Sequence, residues 1–373
     1  MNNPKWLVIS SSTTPISPLD NLLRDLGKKG FIFELLYNHN QNLSTVAIEE
    51  HWQSKLTWLG PKKDGVLKKL FYLCWPVLLI ITFVKYFWLW RKNTNGIILF
   101  GSNEKLLYTL PARLLGQKVI WLILPEEIVH HRGVLLKLLS KKVRCVICNS
   151  STEATATKLG IAPEQTTLLQ PGIIITQTHQ DNLFHELAQH EHSTKKFFTI
   201  GTVTDLNQRQ QIESLFQAAK RAVQFVPNLQ LIVVGEGTEK KNLQWLAKKM
   251  EIDGFVWLVG EQGHLRKWLE SLDIYLAASD NLTMAEISKI LYVMASGRPV
   301  IGPTGIGLED IIFTEKTGYT VNLSDSETLA EKIVILQQKK ELRQAMSRAA
   351  RERVEKYFTS AKMIAQFEKL ISE

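Results

Sequence analysis

The second half of the sequence alternates short, continuously apolar segments with amphipathic ones. Residues 197–203 read FFTIGTV, 229–234 read LQLIVV and 273–278 read DIYLAA. Between the first two, apolar residues recur at helical spacing from Ile212 to Val223. Strands that are apolar on both faces belong to parallel sheets covered by helices on both sides. The pattern therefore predicts a doubly wound α/β domain.

The first half repeats this rhythm less regularly, with the strand-like segments KWLVIS, FIFELLY, GIILFGS, KVIWLIL and RCVICNS. A polar stretch at residues 174–195 holds four of the nine histidines and separates the two halves. We therefore predict two Rossmann-like domains facing a cleft, residues 1–173 and 196–358, joined by this linker. A last helix over residues 359–373 is expected to pack back on the first domain.

Positive charge is confined to the first half. Of the formal net charge of +9, residues 1–170 contribute 21 Lys and Arg against 11 Asp and Glu, while the remainder has 24 against 25. Seven of the ten tryptophans also lie between Trp6 and Trp121. Basic surfaces attract nucleic acid or anionic lipid, and aromatic residues around an apolar stretch are more typical of a membrane interface. We therefore expect an anionic membrane surface as a partner and no nucleic acid.

An apolar block runs from Lys68 to Lys92, and its uncharged core, Leu70 to Val84, is only fifteen residues long. A membrane-spanning helix needs about twenty. Three interpretations remain open: a buried helix of the first domain, a helix lying on the membrane surface, and a true span.

Cysteine and histidine give little support for a metal or redox centre. Cys145 and Cys148 form a C-x-x-C inside a predicted strand, where successive side chains alternate between faces. His185, His190 and His192 lack a carboxylate or cysteine at ligand spacing, so a solvated linker is the simpler interpretation. Three cysteines without a disulfide pattern are typical of a reducing compartment. The expected location is the cytoplasm, with peripheral attachment to the inner face of the membrane.

The stretch from Ile287 to Ile312 is interrupted by small residues. It begins as a helix, breaks at Ser296-Gly297, forms a very short strand, turns on Gly305 and Gly307, and is expected to start another helix. Backbone amides at a helix N-terminus bind anions when no bulky side chain is in the way. The stretch therefore predicts an anion site close to the backbone.

These segments also occur in a characteristic order, FFTIGTVTDLNQRQQIESLFQAAK, PNLQLIVVGEGTEKKNLQWLA, VWLVGEQGHLRKWLESLDIYLAAS, ISKILYVMASGRPVIG, GIGLEDII and EKTGYTV. Residues 196–358 in this order resemble the group 1 or family 4 retaining glycosyltransferases of the two-Rossmann (GT-B) type. The resemblance implies a nucleoside-diphosphate sugar as donor, bound by the C-terminal domain, and a glycan or lipid-linked acceptor bound by the N-terminal one. It implies sugar transfer with retention in cell-envelope or polysaccharide biosynthesis, with no required cofactor or metal.

The sequence departs from the family pattern at its two usual glutamates, which are Met284 and Tyr292 here. The arginine often found after the first glycine of the domain is Thr202. Ser288 and Lys289 resemble a variant Pro-Ser-Lys pattern and are expected in the first turn of a helix, where a lysine opposes the helix dipole unless an anion binds nearby. Glu286 could replace the missing sugar contact, or simply be a favourable N-terminal carboxylate.

The donor-site residues assigned on this basis are Gly201, Thr202, Arg209, Gly235, Gly260, Ser288, Lys289 and Gly307, with Glu286 as a candidate catalytic carboxylate. Each has a plainer explanation as a turn, a solvated side chain or a helix-start residue. On the acceptor side, Glu126 and Glu127 follow a predicted strand and are candidates for the base. The missing glutamates leave an alternative, a catalytically degenerate relative that binds a partner or a membrane.

Overall fold

The computed structural model describes residues 4–10, 17–37, 47–57, 59, 70–71, 73–90, 94–125, 133–141, 143–175, 197–260, 265–279, 282–305 and 307–372. The chain divides into two compact units. Unit 1 comprises Met1–Pro171, Thr283–Ala285 and Ser360–Glu373, and unit 2 comprises Gly172–Leu282 and Glu286–Thr359.

Unit 1 contains a parallel sheet of seven strands in the order β3-β2-β1-β4-β5-β6-β7. The strands are β1 Lys5–Ser10, β2 Ile32–Tyr37, β3 Gln53–Leu56, β4 Gly96–Leu99, β5 Lys118–Ile123, β6 Arg144–Ile147 and β7 Thr166–Leu168. The described helices of this unit are α1 Ser17–Lys28, α2 Trp75–Trp90, α3 Ser102–Leu114, α4 Gly133–Ser140, α5 Ser150–Lys158 and α12 Ser360–Ser372. A short 3-10 helix spans Pro163–Gln165.

The central strands of unit 1 are buried on both faces, as continuous apolar segments require. Trp6, Ile9 and Trp121 are almost fully buried in β1 and β5. Cys145 and Cys148 are both buried and neither forms a disulfide, and of the two Cys145 belongs to the apolar cluster that includes Trp121 and Ile147. Strand order reverses between β1 and β4, which makes their carboxyl ends the switch point of this sheet.

Helix α2 has one packed face and one outward face. Its packed face contacts α3: the Trp75 indole donates to the Leu106 carbonyl oxygen at 3.3 Å, and the Tyr86 ring lies edge-on to Tyr108 at 5.9 Å between centroids. The outward face is apolar and exposed, and consists of Val77, Ile80, Ile81, Val84, Phe87 and Trp88.

The length and packing of α2 bear on the three interpretations of the apolar block. The helix has 16 residues, or about 24 Å at 1.5 Å per residue, whereas the hydrocarbon core is about 30 Å thick. Within the described ranges, no helix is both long enough and apolar enough to cross a bilayer. Core packing and an apolar surface are both present, on opposite faces.

Unit 2 contains a parallel sheet of six strands in the order β10-β9-β8-β11-β12-β13. The strands are β8 Phe198–Val203, β9 Leu229–Val234, β10 Val256–Val259, β11 Ile274–Leu276, β12 Val300–Pro303 and β13 Gly318–Val321. The described helices are α6 Arg209–Ala222, α7 Lys240–Lys249, α8 Leu265–Ser271, α9 Met284–Ala295, α10 Ser326–Gln338 and α11 Lys340–Tyr357, with a 3-10 helix at Leu308–Asp310.

The two parallel α/β sheets confirm the predicted fold class. In unit 2 the apolar positions expected on the helix after β8 pack into one core, where Ile212, Leu215 and Phe216 have no exposed surface. Helix α12 belongs to unit 1, where the backbone N–H of Gln170 donates to the Gln366 side chain at 3.2 Å.

Two helix boundaries differ from the sequence expectation. Helix α9 begins at Met284, so Ser288 and Lys289 lie in its second turn and not in its first. The N-terminal end of α9 therefore lies at Met284, four residues before Ser288. After Gly307 the chain forms only a three-residue 3-10 helix, and not the longer helix expected there.

Candidate functional site

The switch point of the second sheet lies between β8 and β11. Strand β8 pairs with β9 on one side and β11 on the other, so the order of strands reverses there. In sheets of this kind, ligands bind outside the carboxyl ends of the strands at the reversal. The last residues of the two strands, Val203 and Leu276, therefore mark the place to search for a site.

The loop after β8 is fixed by the loop after β9. The Thr204 N–H donates to the Val234 carbonyl oxygen at 3.1 Å, and the Leu206 N–H donates to the Glu236 carbonyl oxygen at 3.0 Å. Gly235 sits between these bonds with φ of 151°, and a Cβ atom there would overlap the Thr204 carbonyl oxygen. Gly235 is thus required by the close approach of the two loops.

The other predicted small residues of the site have packing roles of their own. A Cβ atom on Gly201 would lie 2.7 Å from Leu272 Cδ2 and 2.8 Å from the Ile232 carbonyl oxygen. A Cβ atom on Gly260 would meet the Glu236 carboxylate. Thr202 is buried beside β11. None of these contacts excludes a ligand at the nearby strand ends. Each contact nevertheless accounts for a small or buried residue at its position through packing alone.

Lys289 reaches the carboxyl end of β8. Its Nζ donates to the Val203 carbonyl oxygen at 2.7 Å and pairs with Glu286 Oε2 at 2.6 Å, and the side chain is 20% exposed. An ammonium group has three donors, and these two acceptors occupy two of them within the described structure. The amine therefore lies at the switch point with one donor remaining for a ligand.

Glu286 is buried, with 6% of its surface exposed. Its Oε1 accepts the Tyr275 hydroxyl at 3.2 Å, and its Oε2 accepts Lys289. Burial, followed by the charge of Glu286, raises the pKa of Tyr275 well above its usual range. Both carboxylate oxygens of Glu286 thus face protein groups, which favours a role in holding Lys289 over direct contact with a sugar.

The two positions of the missing glutamates differ in environment. Met284 is fully buried in the core, whereas Tyr292 is 41% exposed on α9. Neither offers a carboxylate to the site. Ser288, in the second turn, is buried.

Arg209 is the first residue of α6, the helix that follows β8. Its Nε lies 3.4 Å from Glu213 Oε2, one turn further along the same helix, and its side chain is 42% exposed. Exposed pairs of this kind contribute at most about 1 kcal/mol. Arg209 is therefore able to leave Glu213 when a stronger anion is present.

The turn after β12 already holds an anionic group. The Gly305 N–H donates to the Glu309 carboxylate at 2.5 Å, and both Gly305 and Gly307 adopt left-handed φ values, 82° and 83°. The turn is therefore built to present an amide to a negatively charged oxygen, which Glu309 supplies in this structure.

The acceptor side is less completely described. Glu126, Glu127, His185, His190 and His192 lie outside the described residues. Within the described ranges, no group of three His, Cys, Asp or Glu side chains is arranged to hold a metal ion.

Sequence reasoning missed one carboxyl group in unit 1. Asp20 lies in the first turn of α1, the helix that follows β1. Burial raises its pKa to about 6, against the opposing effect of Arg24. A carboxyl group that titrates near neutral pH is able to accept a proton in catalysis, so Asp20 joins Glu126 and Glu127 as a candidate base.

Comparison with known proteins places the second half of the chain beside a known family. The family described as group 1 glycosyl transferases matches residues 194–339, which contain the whole switch point of the second sheet. The match covers unit 2 only in part and does not extend to the sheet of unit 1. It confirms the resemblance predicted from the order of the sequence segments.

Solved structures of the GT-B glycosyltransferase fold align over the full chain. A glycosyltransferase from Rickettsia africae has a TM-score of 0.78 at 12% identity, covering 100% of this chain and 98% of that one. HepE from Anabaena, in complex with UDP, has a TM-score of 0.75 at 14% identity, with 99% of both chains covered. At these identities the likeness shows the fold alone.

Sequence similarity to curated proteins is more local. N-acetyl-alpha-D-glucosaminyl L-malate synthase of Bacillus anthracis is 28% identical over 166 residues, which is 44% of this chain and 43% of that enzyme. The chain thus matches less than half of the length of this curated relative.

Proposed function

We propose that this protein is a glycosyltransferase that moves a sugar from a nucleoside-diphosphate donor to a glycan or lipid-linked acceptor, with retention, in cell-envelope or polysaccharide biosynthesis. The observation that carries the proposal is the position of Lys289. This residue belongs to α9, which begins at Met284, and its ammonium group lies at the carboxyl end of β8. The UDP complex of the similarly folded HepE supports a nucleotide donor.

The proposed donor site uses charge to stabilise the leaving diphosphate. Negative charge develops on the diphosphate as the bond to the sugar breaks, and fixed cations and amides lower the energy of that state. Lys289 supplies a fixed cation, and the positive end of the α9 dipole lies on the same helix. Arg209 adds a second cation after exchanging Glu213 for phosphate oxygens.

Calorimetric titration of the protein with UDP, GDP and ADP tests this proposal. We expect one of the three to bind with a dissociation constant below about 1 mM, equivalent to about 4 kcal/mol. Failure of all three to bind at millimolar concentration would reject the transferase and support a degenerate relative that acts through a partner.

We further propose that the enzyme works at the cytoplasmic face of the membrane and that the outward face of α2 contacts the lipid. That face presents six large apolar side chains, including Ile80, Val84 and Trp88, and the exposed Lys85 lies next to them. In the sequence, basic residues flank the block on both sides, from Lys68 to Lys92. Apolar insertion combined with attraction to anionic lipid is the usual basis of interfacial binding.

Replacing Val77, Ile80 and Val84 by serine is expected to lower binding to anionic vesicles at least about tenfold, because each loses apolar surface that would insert into the lipid. Co-sedimentation with anionic and neutral vesicles, at low and high salt, measures the change. Leu114→Ser is the control, since Leu114 is equally exposed on α3. Equal sedimentation of wild type and triple variant would remove α2 from the interface.

A further inference from the structure

Tyr275 is a fully buried tyrosine at the switch point of the second sheet. It is the central residue of β11 and lies opposite Gly201 of β8 in the sheet register. A buried hydroxyl is costly unless it is hydrogen-bonded. The Tyr275 hydroxyl donates to Glu286 Oε1 at 3.2 Å, which joins β11 to the first turn of α9.

Two further contacts extend this hydrogen bond to the end of β8. Glu286 Oε2 pairs with Lys289 Nζ at 2.6 Å, and the same Nζ donates to the Val203 carbonyl oxygen at 2.7 Å. Tyr275, Glu286 and Lys289 thereby connect the middle of β11, the start of α9 and the end of β8. All of these residues belong to unit 2.

The protonation state of Tyr275 suits a fixed donor. Burial and the neighbouring Glu286 charge both raise the pKa of this hydroxyl. The phenol therefore keeps its proton throughout the neutral range and always presents O–H to the carboxylate. The hydrogen bond from this phenol to Glu286 Oε1 is therefore present across the neutral range.

We infer that Tyr275 is a positioning residue for the donor diphosphate. It orients Glu286, and Glu286 in turn orients the Lys289 ammonium toward the strand ends. This inference rests on the proposed function, because it assigns Lys289 to the diphosphate. Without the hydroxyl, Glu286 Oε1 loses the hydrogen bond that ties it to β11, and the carboxylate is held less firmly in its present orientation. The Lys289 ammonium, which is paired with Glu286, then loses its fixed position for binding the diphosphate.

A double-mutant cycle on nucleotide affinity tests this inference. The dissociation constant is measured for wild type, Tyr275→Phe, Lys289→Ala and the double variant, with whichever of UDP, GDP and ADP binds wild type most tightly. We expect Tyr275→Phe to weaken binding about three- to tenfold in the wild-type background. In the Lys289→Ala background, Tyr275→Phe is expected to lower nucleotide affinity less than about twofold. The ammonium group through which Tyr275 acts is absent from that background.

Two controls separate positioning from a loss of structure. Phenylalanine keeps the ring of Tyr275 in the core, and an unchanged binding stoichiometry shows that all molecules are folded. Tyr319→Phe makes the same chemical change at another buried tyrosine of the sheet, in β13, and is expected to leave affinity unchanged.

The outcomes distinguish this inference from the function on which it rests. Equal affinity of wild type and Tyr275→Phe, or an equal loss in both backgrounds, overturns the positioning role while nucleotide binding by wild type still supports the donor site. A wild-type protein that binds none of the three nucleotides overturns the proposed function, and the role of Tyr275 falls with it.

Discussion

Replacing Lys289 by alanine is expected to weaken nucleoside-diphosphate binding by about 1.5–3 kcal/mol, or roughly 10- to 150-fold in dissociation constant. The ammonium group lies at the carboxyl end of β8 with one donor remaining, so the variant loses a charge-assisted bond to phosphate. It also leaves Glu286 buried without its cation, which adds unfavourable negative charge beside the ligand. Calorimetry with the tightest-binding nucleotide measures the loss.

Lys241→Ala is the matched control for this prediction. Lys241 lies exposed on α7 of the same unit, and its loss removes one positive charge from the surface without touching the switch point. It is expected to change affinity by less than about twofold, since exposed charges are screened by salt. Equal losses in the two variants would mean that Lys289 acts only through the net charge of the protein.

Replacing Gly235 by alanine is expected to destabilise unit 2 by about 2–4 kcal/mol. The residue has φ of 151°, where residues with a side chain are strained, and its Cβ would overlap the Thr204 carbonyl oxygen. The backbone cannot relieve this overlap without breaking the bond from the Thr204 N–H to Val234. Urea unfolding, monitored by circular dichroism, reports the change in the free energy of unfolding.

Gly254→Ala is the corresponding control, because no atom lies within 4 Å of a Cβ built there. Its effect should stay within about 0.5 kcal/mol. Nucleotide affinity should fall in Gly235→Ala and not in Gly254→Ala, because the loop after β8 depends on Gly235 for its position. A Gly235→Ala protein as stable as wild type would show that the two loops separate readily.

The fold was predictable where strands are buried on both faces. Segments such as 118–123 and 229–234 are continuously apolar, and the structure makes each a central strand, β5 and β9. Strand β3, Gln53–Leu56, went unrecognised because it is a fully exposed edge strand whose QSKL sequence has no apolar face. Apolar patterning reports burial, so a strand that buries no side chain leaves no such signal.

The apolar block around α2 shows a second limit of patterning. Its residues are apolar on every side of the helix, so periodicity could not identify the face that packs on α3. Only tertiary contacts, such as those of Trp75 and Tyr86, distinguish the packed face from the outward one.

The site was only partly predictable. The start of α9 was placed too late, although Thr283-x-x-Glu286 fits the capping-box pattern and indicates a start at Met284. Tyr275 looked like one more apolar strand residue, because its hydroxyl partner is eleven positions away along the chain. Long-range polar contacts of this kind have no local sequence pattern.

Hydrogen–deuterium exchange with and without saturating nucleotide tests the central claim most directly, because it locates the bound diphosphate on the chain. We predict slower amide exchange in two segments, Val203 to Arg209 and Met284 to Lys289, where the end of β8 and the start of α9 lie. Amide exchange in α2 should be the same with and without nucleotide. Protection confined to unit 1, with none at the end of β8 or the start of α9, would contradict the assignment of the donor site.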